Sequence, residues 1–527
     1  MYIITKYWVL FLLLILSSAC NPSKKSKILS LEKRKIKFQL VSIDKKPWDP
    51  GVTFSTKAHL QSALFGQLLN FDNKYKIKPG IIKSWVWDRK SKSYTFKIND
   101  KLTYDQNRKL RVEDIEFAIL KNFLSNNQEA DRRLLKEIKG IKKIKIGDKF
   151  TSGMCEGIKI IDKNTFQIFL VRQNPVFLYI LGDLASFVAP PEDFTSDMFT
   201  FNNIPRGTGK YEVIWSDPKS STVSLKRKTI YTETDKNYPI YIDFIGHGDG
   251  ITNNVDIAIG ASARKIKKKD KENKYSFISN PTPRIVQVID FNYSTALGSD
   301  LNFRQMISLA LDSNYIFNDK KHLKECHELV PEGYYGRTND PLAFDPKKAK
   351  KIKEQYFPKI ATKSSPINAY FHGKSNWKKL PNYIKKIKEQ LENVGVYINF
   401  QGSLETNFSK LKGKNFIFGT YGTVTSFIDP LAPFELYIED DSNYKDNTLT
   451  NKKDMKKLLK LAQESLDNAE RAKHIQKLSK YFQKNIITLP LHQRGGYYAY
   501  KNNIKIGDLN NTFFALNFDN IEILDNK

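Results

Sequence analysis

Apolar residues fall along this chain in three patterns. Near the start they run unbroken: Tyr7–Leu16 follows a single Lys6 and leads into Ser17, Ser18, Ala19 and Cys20. Farther on they alternate with polar residues at Ile36–Ile43, Ser93–Ile98, Thr165–Val171 and Ile285–Asn292, a period of two that predicts strands. Elsewhere they recur every three or four residues, which predicts helices over Ala58–Leu69, from Val112, and over Phe303–Leu311, Ile384–Val394, Lys452–Leu466 and Ala469–Gln483. Punctuation falls between these runs. Pro47-Trp48-Asp49-Pro50 ends the first strand, Pro79-Gly80 makes a turn, and Asp162–Asn164 joins Ile158–Ile161 to Thr165–Val171 as a hairpin. Shorter β segments are expected from Gly207-Thr208-Gly209-Lys210-Tyr211, at Thr222–Leu225, at Val396–Phe400 and around Thr488–Leu491. Phe416–Phe418 reads as a strand running into a Gly/Thr-rich loop, Gly419–Ser426. Helices and strands alternate irregularly and no internal repeat is visible, so the class is α/β.

Ten apolar residues are too few to span a bilayer but suit the core of a secretory leader. Small residues followed by Cys20 resemble a bacterial lipoprotein signal over residues 1–19, with the thiol of Cys20 as the lipidation site. One departure stands out: Leu16 lies four places before the cysteine, and Ser17 occupies the place where leucine is usual. A plain leader with a chance cysteine is the alternative. Either reading exports the mature chain, with 20–30 as a polar tether.

The chain has 527 residues, more than one core serves, so two or three lobes are expected. Its formal net charge is +30, mostly lysine spread along the whole length. Export makes nucleic acid an unsuitable partner, while attraction to an anionic membrane surface would complement a lipid. The densest run, Lys265–Lys274, reads as a solvated loop. Cys155 and Cys326 remain after Cys20; they fall in different predicted lobes, where a bridge would resist relative motion. His322, Cys326 and His327 have helical spacing but no further ligand nearby, which favours a charged helix surface over a metal site. No nucleophile elbow, zinc-helix motif or phosphate loop is present, so neither catalytic residues nor cofactors are assigned.

A series of landmarks, taken in order, resembles the large extracellular solute-binding proteins of ABC importers, the oligopeptide-, dipeptide- and nickel-binding group (family 5). They are Asp49-Pro50, Leu64-Phe65-Gly66-Gln67-Leu68, Pro79, Ser84-Trp85, Tyr94-Thr95-Phe96 and Glu113-Asp114-Ile115. Next come the Gly157–Phe166 hairpin, Pro175, Phe177 and Gly207-Thr208-Gly209-Lys210-Tyr211. Val255–Ala258, Phe291-Asn292, the helix with Arg304, Gln305, Ala310 and Asp312, then Arg471 and Leu489-Pro490-Leu491 complete the series.

The resemblance implies a two-lobed periplasmic-binding-protein fold (type II). The first lobe would hold 31–57, 205–287 and 500–527, with an extra subdomain at 58–204; the second lobe would hold 288–499. The chain would cross near Val288–Asn292 and return near Tyr497–Tyr500. The implied function is that of a monomeric, lipid-anchored receptor. It would deliver a small solute to importer membrane subunits at the periplasm or cell surface, without nucleic acid as partner.

In peptide-binding members of the family, a Gly-Trp and then an Asp precede the Asp-Pro step, and that Asp holds the peptide ammonium. Here Gly422 and Asp429-Pro430 match, but Thr423 stands for the Trp and Ser426 for the Asp. Either Asp44 takes the role, or the ligand is not an ordinary free-amine peptide: an N-blocked or cell-wall peptide, a sugar or a metal chelate. Trp48, Trp377 and Tyr421 are candidates for stacking, Trp377 before Trp48, which suits packing beside the hinge. The candidate binding set is Asp44, Trp377, Tyr421, Gly422, Thr423, Ser426 and Asp429. A lipoprotein presenting ligand to a sensor, and a hydrolase, are the competing functions.

Overall fold

The computed structural model describes residues 28–40, 43, 46–49, 57–71, 76–104, 108–126, 135–182, 187–217, 219–232, 236–246, 254–279, 283, 285–318, 323–372, 380–403, 417–424, 429–439, 452–507 and 515–525. The first alternating run becomes β1 (Lys35–Leu40), which buries Ile36, Phe38 and Leu40. Helix α1 (Lys57–Leu64) follows. After an inserted subdomain come β2 (Tyr211–Asp217), β3 (Thr222–Arg227), β4 (Tyr241–Gly246), β5 (Ile257–Ile259), α2 (Gly260–Lys269) and β6 (Tyr275–Ser279). The chain then enters a second sheet with β7 (Ile285–Phe291), β8 (Lys324–Glu325), β9 (Ile367–His372), helix α3 (Asn382–Asn393), β10 (Ile398–Ser403) and β11 (Phe418–Val424). Helices α4 (Ala432–Ile438), α5 (Lys452–Glu464) and α6 (Asn468–Asn485) lead into β12 (Thr488–Arg494), and β13 (Tyr497–Lys501) returns to the first sheet.

The seven strands of the first sheet run in the order β6-β13-β5-β1-β4-β3-β2, and the six of the second in the order β8-β12-β7-β11-β9-β10. In the first sheet the parallel group β4-β1-β5 has an antiparallel partner on each side; in the second the group β11-β9-β10 has one only at β11, and β10 is the edge strand. The second sheet is covered on both faces, as parallel strands require. Val286 and Val288 of β7 pack with α4, α5 and α6, while Ile289 and Phe291 pack with α3. Pro490, which cannot donate to a ladder, sits where the β7–β12 register shifts. The inserted subdomain has its own four-stranded antiparallel sheet, ordered Ile82–Asp88, Ser93–Ile98, Thr165–Phe169, Ile158–Asp162. Its helix Val112–Leu124 is buried along nearly its whole length.

Four expectations meet corrections. The helix expected over Ala58–Leu69 stops at Leu64, because the Gly207-Thr208-Gly209 segment lies against its end. Gly209 N donates to the Leu64 carbonyl at 2.8 Å, and a Cβ on Gly207 would sit 1.9 Å from that same oxygen. The lysine run is no loop in its first half: α2 extends to Lys269, burying Ala263 and Ile266 against Tyr497 and Ala499 while Lys267–Lys269 face outward. The Gly/Thr-rich stretch is strand as far as Val424, because β7 and β9 pair with it on both sides. Cys326 is on no helix; it lies in the core beside β8, its Sγ donating to the Glu328 carbonyl at 2.9 Å. His322 lies outside the described residues.

Cys155 and Cys326 are free thiols in separate cores. Among the described residues no His/Cys/Asp/Glu group could hold a metal, and no helix is long and apolar enough to cross a membrane. Gly207→Ala is expected to lower unfolding free energy by about 1–3 kcal/mol, read by chemical denaturation, since a methyl must displace backbone rather than a side-chain tip.

Candidate ligand cleft

Strand direction fixes where a ligand can sit. In the first sheet β1, β4 and β5 end together, at Leu40, Gly246 and Ile259, and at this edge β6 ends and β13 begins, Ser279 opposite Tyr497. In the second sheet β9, β10 and β11 end together at His372, Ser403 and Val424, and at this edge Ile285 begins β7 between Val424 and Arg494. The links between sheets join these two edges. One comprises residues 280–284 and the other only Gly495-Gly496. The sheets therefore present the carboxyl ends of their parallel strands to each other, the position at which open α/β sheets bind ligands. The connections between the sheets are 280–284, a few residues before Val288–Asn292, and 495–496, directly before Tyr497–Tyr500.

The sequence candidates distribute around these edges. Tyr421, Gly422 and Thr423 are in the last turn of pairing of β11, opposite Val288, Gln287 and Val286. Asp44, Trp377 and Ser426 lie outside the described residues, as does Cys20; in sequence the first three follow β1, β9 and β11. Trp48 is a core residue of the first sheet's cluster, only 6% exposed.

Asp429 closes the segment after β11 and is almost fully enclosed. Arg471 on α6 donates through Nη2 to both its oxygens, at 2.9 and 3.1 Å, and the Leu431 N–H donates to Oδ1 at 3.0 Å. Arg471 also donates to the Ala462 carbonyl at 3.0 Å and to the Tyr335 hydroxyl. This carboxylate is engaged inside the second lobe, holding the start of α4 onto α6. Sequence reasoning had both residues, Asp429 and Arg471, but nothing in their spacing marks them as a pair.

Next to that pair the inserted subdomain touches the second sheet's helices. Arg172 holds Glu137 through two bonds of 2.9 and 2.7 Å and reaches Gln463 Oε1 of α5 at 3.3 Å. Gln463 in turn donates to Glu435 of α4 at 2.7 Å, and Lys136 pairs with Glu439 at 3.3 Å. Desolvation, reinforced by the nearby Asp429 charge, pushes the Glu435 carboxyl up to about 7. Sequence reading missed this contact altogether, since its members are scattered over some three hundred residues as ordinary surface charges.

Two outcomes follow. Asp429→Ala strands a buried guanidinium and is expected to cost about 3–5 kcal/mol of stability; a double-mutant cycle with Arg471→Met should recover part of that loss. Because Glu435 binds its proton more tightly folded than unfolded, its contribution falls as pH rises from the ordinary 4.5 to about 7. Glu435→Gln should flatten the slope of urea midpoint against pH in that window.

Solved structures of the same architecture are numerous. The Helicobacter pylori periplasmic binding protein DppA, in complex with the peptide STSA, superposes with a TM-score of 0.73 at 14% identity, covering 94% of this chain and 99% of that one. A dipeptide-binding protein from Pseudoalteromonas sp. SM9913, in complex with Met-Leu, gives 0.74 at 14% identity over 93% and 100%. AgaA from A. tumefaciens R10, bound to agropinic acid, gives 0.72 at 17% identity over 94% and 99%. These likenesses establish the two-lobed binding-protein fold. No curated protein sequence matches the chain. The family model described as bacterial extracellular solute-binding proteins, family 5, middle, matches residues 76–445, more than half of the length. Facing strand ends, two short links and that match lead to one conclusion: the chain belongs to the bacterial extracellular solute-binding proteins, family 5.

Proposed function

We propose that this protein is a lipid-anchored receptor that captures a peptide-like or other small solute outside the cytoplasm and delivers it to the membrane subunits of an ABC importer. The lobes divide at the two links, 280–284 and 495–496, and closure is a rotation about them. The observation that carries this reading is the pair of facing carboxyl edges joined by those links. Each link leaves and enters a strand held by ladder hydrogen bonds, so rotation would leave the paired strands themselves unchanged. A solute touching both edges favours the closed arrangement through contacts absent from the open one. Relatives of this fold carry peptides in two of the structures above and agropinic acid in the third, so the fold alone leaves the solute class to side chains.

Tethering is assigned to Cys20, alkylated and made the new terminus after loss of 1–19. Cys20→Ser is expected to release the protein from the membrane fraction; continued sedimentation with lipid would refute the anchor. Solution scattering of the mature chain should show a smaller radius of gyration once its solute saturates it. A host strain lacking the protein should lose uptake of that solute, whereas a receptor that only informs a sensor would leave uptake intact.

A further inference from the structure

Arginines buried in this protein have acceptors. Arg304 donates to the Gly298, Ser299, Asn485 and Ile486 carbonyls, Arg471 holds Asp429, and Arg227 reaches Asp519. Two half-buried arginines at the meeting edges break this rule. Arg494 is the last residue of β12, paired with Ile285, at the mouth of the Gly495-Gly496 link. Its Nε is enclosed and has no hydrogen-bond partner. Arg264 projects from α2, which packs through Ala263 and Ile266 on β13, the strand that the link enters. The two guanidiniums are close enough to repel, and among the described residues the other ionisable groups facing them are Tyr383 on α3 beside Arg494 and Tyr497 beside Arg264. No carboxylate among the described residues pairs with either. Two like charges taken partly out of water without a counter-charge are costly, and a folded chain tolerates them where a ligand supplies the missing charge.

We infer that Arg264 and Arg494 together receive a compact oxyanion, a carboxylate or a phosphate group, carried by the captured solute. One guanidinium comes from each side of the crossing, and each offers a planar fork of donors that matches such oxygens. The anion would neutralise the repulsion between the two sides and so draw them together. This rests on the solute-binding reading above and names the chemical class of the solute: anionic at the end nearest the short link. It accords with the second lobe's other charged candidate, Asp429, being engaged by Arg471.

The test uses the full mature chain with disodium malonate and inorganic phosphate as probes, titrated calorimetrically and by thermal shift at ionic strength fixed with sodium chloride. Saturable binding of one or both is expected, and the stronger probe distinguishes carboxylate from phosphate. Arg264→Gln and Arg494→Gln should each weaken it about tenfold or more, with the unliganded variants melting no lower than the parent because a repulsion has gone. Arg494→Lys keeps the charge, loses the fork and should fall between; it also serves if the glutamine variant misfolds. Equal responses in parent and variants, or effects that track ionic strength alone, would overturn the assignment. Native mass spectrometry of protein from its own host separates the two layers. A co-purified solute without an acidic group leaves the receptor standing and refutes the arginine site. Malonate held by the arginines in a protein that never closes on any solute refutes the receptor and leaves the site.

Discussion

Everything in this molecule depends on how four strands are paired at the junction of two sheets. β13 lies between β6 and β5, and β7 lies between β12 and β11, so each strand that leaves or receives a crossing is held on both sides or borders one that is. The shorter crossing has two residues, both glycine. Such a connection cannot let the sheets drift apart, yet glycine backbone permits them to turn. Because strand polarity is opposite across each pairing, the carboxyl ends of the parallel strands are obliged to face the junction. The cleft is thus a consequence of chain direction before any side chain is considered.

Charged side chains then divide into two kinds. One kind holds framework pieces together: Arg471 binds Asp429, Arg304 ties the end of α6 to the helix at Leu301–Ala310, and Arg172 joins the inserted subdomain to α5 through Gln463. Each has its hydrogen bonds satisfied within the protein, which is why breaking one is costly and why none is free to meet a solute. The other kind, Arg264 with Arg494, has charge and partial burial with no carboxylate partner among the described residues. A net charge of +30 says nothing about this distinction. Lys267–Lys269 of α2 lie outward, where water screens them, whereas a cation at the junction meets its neighbours partly desolvated.

The strands and long helices were legible because alternation and helical spacing follow directly from burial on one face, as in β1 and α3. Boundaries were lost where tertiary contact decides them. Gly209 ends α1 from more than a hundred residues away, and β7 and β9 extend a Gly/Thr-rich stretch whose own residues favour a loop. The family landmarks proved to be packing devices. Gly207 and Gly209 admit the close approach of a helix end, and Arg304 and Arg471 satisfy carbonyls or a buried carboxylate. Landmarks of that kind identify a fold and are silent about its ligand. Arg264 and Arg494 belong to no such landmark, and nothing in their local sequence separates them from the other basic residues.

The charge pattern at the junction bears on what the cleft admits. A free ammonium must meet a negative group when it is enclosed. On the second lobe the matching position of the peptide-binding pattern is Ser426, neutral, and the neighbouring Asp429 already neutralises Arg471. Against this stand two guanidiniums with no counter-charge among the described residues, one on each side of the shorter link. Desolvated charge cannot be left unbalanced at both ends without loss of stability, so complementarity favours a solute that brings negative charge to the link rather than positive charge to the loop after β11. With the proposed anion site occupied, the same imbalance would couple recognition to the proposed closure. Without an anion, Arg264 and Arg494 repel across the shorter link. An anion held between them would turn that repulsion into attraction beside the shorter link, where the proposed rotation is centred.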